Sequence, residues 1–313
     1  VFVAGGGVAG LAAALAAGRS GARVVLSELG AHLGGSAHRL QGTIDGHSVL
    51  DWVRAAEAEL VTMPEVKIIR RGVVFGYHDH NFLTIRESLT DHLPLNQRQG
   101  FRERLWRVRA NQVILATGAH ERPMVFGNND LPGVMLSSAM ADYAKLYGVL
   151  VGQRIALLTN NDTAYSDALA LRLAGAHVTV VDARRGNSVV GGLVQQAQMA
   201  GVEILRGFVP IEAKGGMTVG GLVVRQMVGD KASGEQRNLV CDAVGMAGGW
   251  NPAIHLYSHS GGKARWNDAT VCFTPGVAMP NQFNVGACNA TWTLSQSLKD
   301  SSHAGAQAAT RAG

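Results

Sequence analysis

The sequence predicts an α/β protein of two Rossmann-type domains, the first with an intact nucleotide-binding turn and the second with a degenerate one. Three observations carry this reading. The chain has 313 residues, enough for about two domains at roughly 150 residues each. It opens on a β-α-β unit whose turn is rich in glycine, and a second β-α-β unit with no glycine in its turn follows near residue 154. Glycine accounts for 40 of the 313 residues, close to twice the usual share of about 7%, and many tight turns follow from that.

Composition narrows the function classes. With 47% hydrophobic and 16% charged residues, the chain is too apolar for disorder. Lys and Arg number 28 against 23 Asp and Glu, a formal charge of +5 with no block of like charges, so nucleic-acid binding is not expected. No apolar run reaches the ~18 residues of a membrane span. The three cysteines, Cys241, Cys272 and Cys288, form no CxxC pair, which points to a reducing compartment, the cytoplasm, and away from dithiol chemistry. Val1 stands inside the first strand, so the chain reads as a piece of a longer one.

The elements follow in order. Val1 to Ala4 is a short buried strand, Gly5-Gly6-Gly7-Val8-Ala9-Gly10 a GxGxxG turn, and Leu11 to Ala17 an alanine-rich helix ending near Gly18. Val24 to Ser27 is the next strand and stops at Glu28, 18 residues past Gly10. This is the full context that the dinucleotide fingerprint requires. Gly5 permits the turn, Gly7 lets the main chain approach a pyrophosphate, and Gly10 lets the helix pack on the strand. The phosphates would rest on the helix N-terminus. Glu28 would accept hydrogen bonds from the adenosine ribose and repel a 2′-phosphate, which disfavours NADP.

Two adjacent glycines, Gly34 and Gly35, pass close to the cofactor in the loop from Gly30 to Ser36. A helix is expected over Asp51 to Leu60, a strand over Val66 to Ile69 and a small β-meander from Gly72 through Arg109. Gln112 to Gly118 is a buried strand ending Ala-Thr-Gly, the sequence that closes the first domain beside the cofactor in flavoproteins with two dinucleotide-binding domains. Arg154 to Thr159, Thr163 to Ala174 and His177 to Val181, with Asp182 at the end, repeat the unit. Its turn, Thr159-Asn160-Asn161-Asp162-Thr163-Ala164, places side chains where a pyrophosphate needs bare backbone, and Asp162 adds repulsion. Further on come a helix near Leu193 to Met199, strands near Val202, Gly221 and Leu239, a turn-rich crossing at Gly248 to Pro252, and Phe283 to Ala287 before a helix from Thr291 to Ala309. The domains are therefore 1–150 with 271–313, and an inserted 151–270. In FAD-binding proteins of this architecture the last strand ends Gly-Asp, and the Asp holds the ribityl chain. Here position 287 is alanine, which favours NAD over FAD in the first site.

The block from Ala116 to Met135, ATGAHERPMVFGNNDLPGVM, together with Thr159-Asn-Asn-Asp162 and Gly286-Ala-Cys-Asn289, resembles the alpha subunits of heterotetrameric sarcosine oxidases along essentially the whole chain. Alpha subunits of opine oxidases and hydrogen cyanide synthases are more distantly similar. The resemblance implies an oxidative demethylation of sarcosine on flavin in a beta subunit, a second flavin (FMN or FAD) at the alpha/beta interface, smaller further subunits, and NAD held tightly by this chain. It implies NAD contacts at Gly5, Gly7, Ala9, Gly10, Glu28, Ser36 and the backbone of Val74, with Gly118, Gly286 and Ala287 closing the other side. An N-terminal domain and a folate-binding domain would flank the chain.

The other constellations have blander readings. His78 with His80 and His255 with His259 could pair on a metal, but no cysteine or carboxylate accompanies them, and exposed or structurally bonded histidines are expected. His120-Glu121-Arg122 reads as a salt-bridged interdomain loop rather than as an acid/base set, so no catalytic residue is assigned. Two functions remain. The chain is either the NAD-carrying portion of an amine-oxidising complex, of sarcosine or opine oxidase type, or a self-contained oxidoreductase using FAD and NADH.

Overall fold

The structure, a computed structural model, describes residues 1–40, 42–186 and 191–313. They fall into two compact units, 1–37 with 42–120 and 251–313, and 38–41 with 121–250.

In the first unit five parallel strands lie in the order Gln282–Asn284, Val113–Leu115, Phe2–Ala4, Val24–Ser27, Val66–Ile69. The central strands are short and wholly apolar because both faces are covered. Helix Val8–Arg19 covers one face, and helices Val49–Thr62 and Leu294–Ala312 join it in a core that includes Val3, Leu11, Leu26, Leu60 and Ala308. Small residues bring helices Val8–Arg19 and Leu294–Ala312 together: a Cβ on Gly305 would stand 2.2 Å from the carbonyl oxygen of Ala13. The other face packs Phe2, Leu115, Tyr77 and Tyr257. The expected meander is a three-stranded antiparallel sheet of Gly72–His78, Phe82–Ser88 and Glu103–Arg109. Its register steps from Val74↔Ile85 to Gly76↔Thr84, so Phe75 is the extra residue of a bulge.

The second unit repeats the parallel sheet in the order Val134–Leu136, Ala243–Ala247, Arg154–Thr159, His177–Asp182, Glu203–Arg206. A three-stranded antiparallel sheet of Phe208–Gly215, Val219–Val228 and Lys231–Leu239 accompanies it. Two cores flank the parallel sheet, one around Leu157, Tyr165 and Val180, the other around Leu158, Val181 and Phe208.

The domain limits differ from the expected 150/151 and 270/271: the units change at 120/121 and at 250/251, and 38–41 belong to the second. The cause is non-local pairing. Val134–Leu136 completes the second parallel sheet, with Val134 opposite Val244. Helix Ser137–Tyr147 then buries Met140 in that unit's core. At the other limit Leu256 and Tyr257 are buried with Phe2 and Tyr77, which places their helix in the first unit. Gly248 to Pro252, expected as a turn, ends in a short strand, Trp250–Pro252.

Candidate dinucleotide site

The site is built where the first parallel sheet meets the N-terminus of helix Val8–Arg19. Gly5 has φ +104°, and a Cβ there would lie 2.2 Å from the Ala116 carbonyl oxygen, so the turn is pressed onto the neighbouring strand. A Cβ on Gly10 would lie 1.8 Å from the Gly5 carbonyl oxygen, so the helix is pressed onto the turn. Gly7 is the opposite case: a Cβ there meets nothing within 4 Å. It is the helix N-cap, with no side chain capping it and no acid in the first turn. The first-turn amides of a helix lack internal partners. Bare backbone, open space and an uncompensated helix N-terminus together suit a pyrophosphate.

Glu28 does more than end a strand. Its Oε2 accepts the Gly6 amide at 2.7 Å and its Oε1 accepts the Gly30 amide at 2.6 Å. The carboxylate thus braces the glycine turn from beneath while standing at the sheet edge where a ribose would lie. Gly34 donates to the Gly6 carbonyl, and a Cβ on Gly35 would stand 3.2 Å from the Gly7 Cα; these two glycines therefore form the outer wall. Ser36 follows them, exposed, in the helical turn Gly35–His38. Gly286 has φ +67°, and a Cβ on it would come within 2.6 Å of the Ala9 Cβ, which brings together the expected Ala9 and Gly286; Ala287 follows, half-buried. Gly118 has φ +74° and open space where its Cβ would be. Val74 stands farther out. Its side chain packs toward the core of Phe2 and Leu115, and its strand is tied in by Gly72, whose amide donates to the Glu28 carbonyl. Sequence reasoning missed Gly6 and Gly30 as Glu28's amide partners, and residue type carries no signal for a backbone contact of this kind.

Replacing Glu28 with Ala is expected to weaken dinucleotide binding by about 1.5–3 kcal/mol per charge-assisted bond lost, without making a 2′-phosphorylated dinucleotide a good ligand. Calorimetric titration with NAD and NADP checks this, and equal NAD affinity in variant and wild type would remove Glu28 from the site.

The second turn is filled by its own side chains. Asn161 Oδ1 accepts the Thr163 amide at 3.1 Å, so a first-turn donor of helix Thr163–Leu173 is already used. Trp250 Nε1 donates to Thr163 Oγ1 at 2.9 Å. Asp162 does not act as an isolated negative charge, because Arg184 pairs with it at 2.8 Å. Asp182, the counterpart of Glu28, is fully buried and holds the Tyr165 hydroxyl and Arg184, each at 2.8 Å. Here the strand-end acid is spent on the core rather than on a glycine turn.

Among the described residues no ion pair joins His120, Glu121 and Arg122 to one another. The His120 ring stands edge-on to His255 at 5.8 Å, and Arg122 donates to the Trp250 carbonyl. Glu121 is buried and accepts the Ser138 amide at 2.9 Å. Ser137 Oγ lies 3.2 Å from Glu121 Oε1 and 2.6 Å from Asp167 Oδ2, and Arg39 reaches Asp167 and Asp142. Ser137 has one hydroxyl hydrogen and can donate it to only one of these two carboxylates at a time. Burial raises both carboxyls above the ordinary range. An acid with a raised folded value contributes stability below its unfolded value and loses it as pH rises through the folded one. Thermal stability is therefore expected to decline as pH climbs from the ordinary carboxylate range, and Glu121→Gln is expected to flatten that decline. A melting-temperature series against pH decides it; parallel curves for the two proteins would reject Glu121 as a source of the decline.

Burial pushes the Cys241 thiol up to about 11 and raises that of Cys288, and all three cysteines are free and buried. Among the described residues no three His, Cys, Asp or Glu gather as a metal ion requires, and no helix is long and apolar enough to cross a membrane.

The pyridine nucleotide-disulphide oxidoreductase family matches residues 1–313. A sarcosine oxidase subunit alpha from Corynebacterium sp. (strain P-1) is 40% identical over the whole of this chain and 32% of its own length. One from Rhizobium meliloti (strain 1021) is 38% identical over 95% of this chain and 29% of its own. The chain thus spans about a third of the length of these curated relatives. Among solved structures, thioredoxin reductase of T. acidophilum superposes with a TM-score of 0.73 at 16% identity, covering 99% of this chain and 96% of that one. The chain belongs to the pyridine nucleotide-disulphide oxidoreductase family, whose fold calls for a flavin or nicotinamide dinucleotide.

Proposed function

We propose that this family member is the NAD-carrying portion of the alpha subunit of a multi-subunit secondary-amine oxidase of sarcosine oxidase type, with oxidative demethylation taking place on flavin in a partner subunit. The observation that carries the reading is the contrast between the two turns. The first offers bare backbone and open space at Gly7, whereas the second has its helix-start donor taken by Asn161. Among the described residues the second turn offers no bare backbone for a second dinucleotide, which speaks against the paired FAD and NADH positions of a self-contained reductase, and the cysteines are buried singly rather than paired as a dithiol. Ala287 supplies no carboxylate for a ribityl chain, which supports NAD over FAD. The contacts are Gly5, Gly7, Ala9, Gly10, Glu28, Ser36, the Val74 backbone, Gly118, Gly286 and Ala287. NAD bound here supplies a nicotinamide able to accept or give a hydride. This chain's own residues hold the pyrophosphate on main-chain amides, keep Glu28 against the turn and confine the cofactor between helix Val8–Arg19 and Gly286. Partners are then a flavin-bearing beta subunit and smaller subunits, in the cytoplasm.

The isolated chain is expected to carry NAD, identified by mass in a denatured extract, and to show no visible flavin band. With sarcosine and an artificial electron acceptor it is expected to show no turnover until a flavin-bearing partner is added. Turnover by the chain alone would establish the self-contained flavoenzyme instead.

A further inference from the structure

A polar cavity lies at the opposite ends of the strands of the first parallel sheet from the dinucleotide turn. The strands run parallel, and the dinucleotide turn sits at their carboxyl ends. Gln112 and Asn281 immediately precede the strands Val113–Leu115 and Gln282–Asn284, so a cavity of about 540 Å³ that they line opens at the amino ends. Its size is that of a small-molecule pocket, but such pockets are usually lined by apolar groups. This one is lined by Arg109, Arg311, Asp79 and amide side chains.

Three features of the lining define what would fill it. Arg109 and Arg311 have no carboxylate within salt-bridge distance among the described residues. Their guanidinium groups lie instead over Phe82 at 5.8 Å and over Phe283 at 5.2 Å, where stacking holds the forks in place and leaves their N–H groups for another acceptor. Gln112 is only 3% exposed. Its amide nitrogen donates to Asn281 Oδ1 at 3.1 Å, while its carbonyl oxygen, buried, has no donor. A buried acceptor without a partner costs free energy that a ligand donor recovers. The charged lining sums to two cations and one carboxylate, so the complementary ligand is anionic and also carries a hydrogen-bond donor.

We propose that this cavity is a binding site for phosphate or a phosphomonoester, in which Arg109 and Arg311 hold the oxyanion and the carbonyl oxygen of Gln112 accepts its hydroxyl proton. Partly protonated phosphate offers acceptors and a donor together, whereas sulfate at neutral pH offers acceptors only. The cavity exceeds the bulk of a bare phosphate ion, which leaves room for the organic part of an ester. This site is independent of the dinucleotide turn and of the reading given under Proposed function.

The test is calorimetric titration of the chain with inorganic phosphate and with sulfate at matched ionic strength, repeated on Gly7→Val protein to exclude binding at the glycine turn. Saturable phosphate binding is expected in both proteins, about tenfold tighter than sulfate. Arg311→Ala, an exposed substitution that leaves the core intact, is expected to weaken both ions about tenfold. Gln112→Met is expected to abolish the preference for phosphate while sulfate binding stays. Absence of saturable phosphate binding, its loss in Gly7→Val, or equal affinity in the Arg311 variant would overturn the proposal.

Discussion

Gly7→Val protein is expected to fold with nearly wild-type stability and to retain no dinucleotide. The folding half rests on space: a Cβ at this position meets nothing within 4 Å, and the residue sits at φ −67°, ψ −180°, an extended conformation open to valine. The binding half rests on the same space, because the proposed dinucleotide would set its pyrophosphate over Gly7, and an isopropyl group there would stand between the phosphate oxygens and the helix-start amides. Several charge-assisted bonds disappear together, each about 1.5–3 kcal/mol, so the loss amounts to a thousandfold or more. Circular dichroism with a thermal melt gives the first half, and the nucleotide content of the purified protein gives the second. Variant protein that co-purifies with stoichiometric nucleotide would place the phosphates elsewhere.

What could be read from the chain alone was local. Val66–Ile69 and Arg154–Thr159 fall where apolar runs bounded by turn residues put them, because a fully buried strand announces itself within a handful of residues. The glycine spacing and the acid at Glu28 were legible for the same reason. The helix begins at Val8 rather than Leu11, since its first turn is made by the very glycine motif that hides it.

Features that depend on distant partners were not legible. Nothing in the residues from Glu121 to Leu150 says that Val134 will lie opposite Val244, and the domain limit moved accordingly. Glu121 read as part of a salt-bridged interdomain loop, yet it is buried, and Ser137 and Ser138, across an intervening loop, bring a hydroxyl and an amide to it. The two amides that Glu28 accepts, those of Gly6 and Gly30, were not legible, because amide direction is a property of the folded turn and not of the residue types.

Gly10→Ala is expected to damage the fold itself, the reverse of Gly7→Val three residues away. The added methyl would stand 1.8 Å from the Gly5 carbonyl oxygen and 2.9 Å from the Gly5 carbonyl carbon, well inside van der Waals contact with main chain that cannot rotate aside. Gly5 cannot retreat, because it is itself closed against the Ala116 carbonyl and its amide donates to Ser27. Helix Val8–Arg19 must therefore lift from the sheet, disturbing the core of Leu11, Ala14 and Leu15 beneath it. Overpacking that forces backbone apart costs about 3 kcal/mol or more, a fall in melting temperature of about 6 °C or more. Gly18→Ala in the same helix separates this strain from helix propensity. Its nearest contact is the Met63 sulfur at 2.6 Å, the end of a flexible side chain, and alanine is the better helix former by about 1 kcal/mol. It is expected to melt close to wild type, and a Gly10→Ala protein that melted with it would show that the helix does not need this approach to the turn.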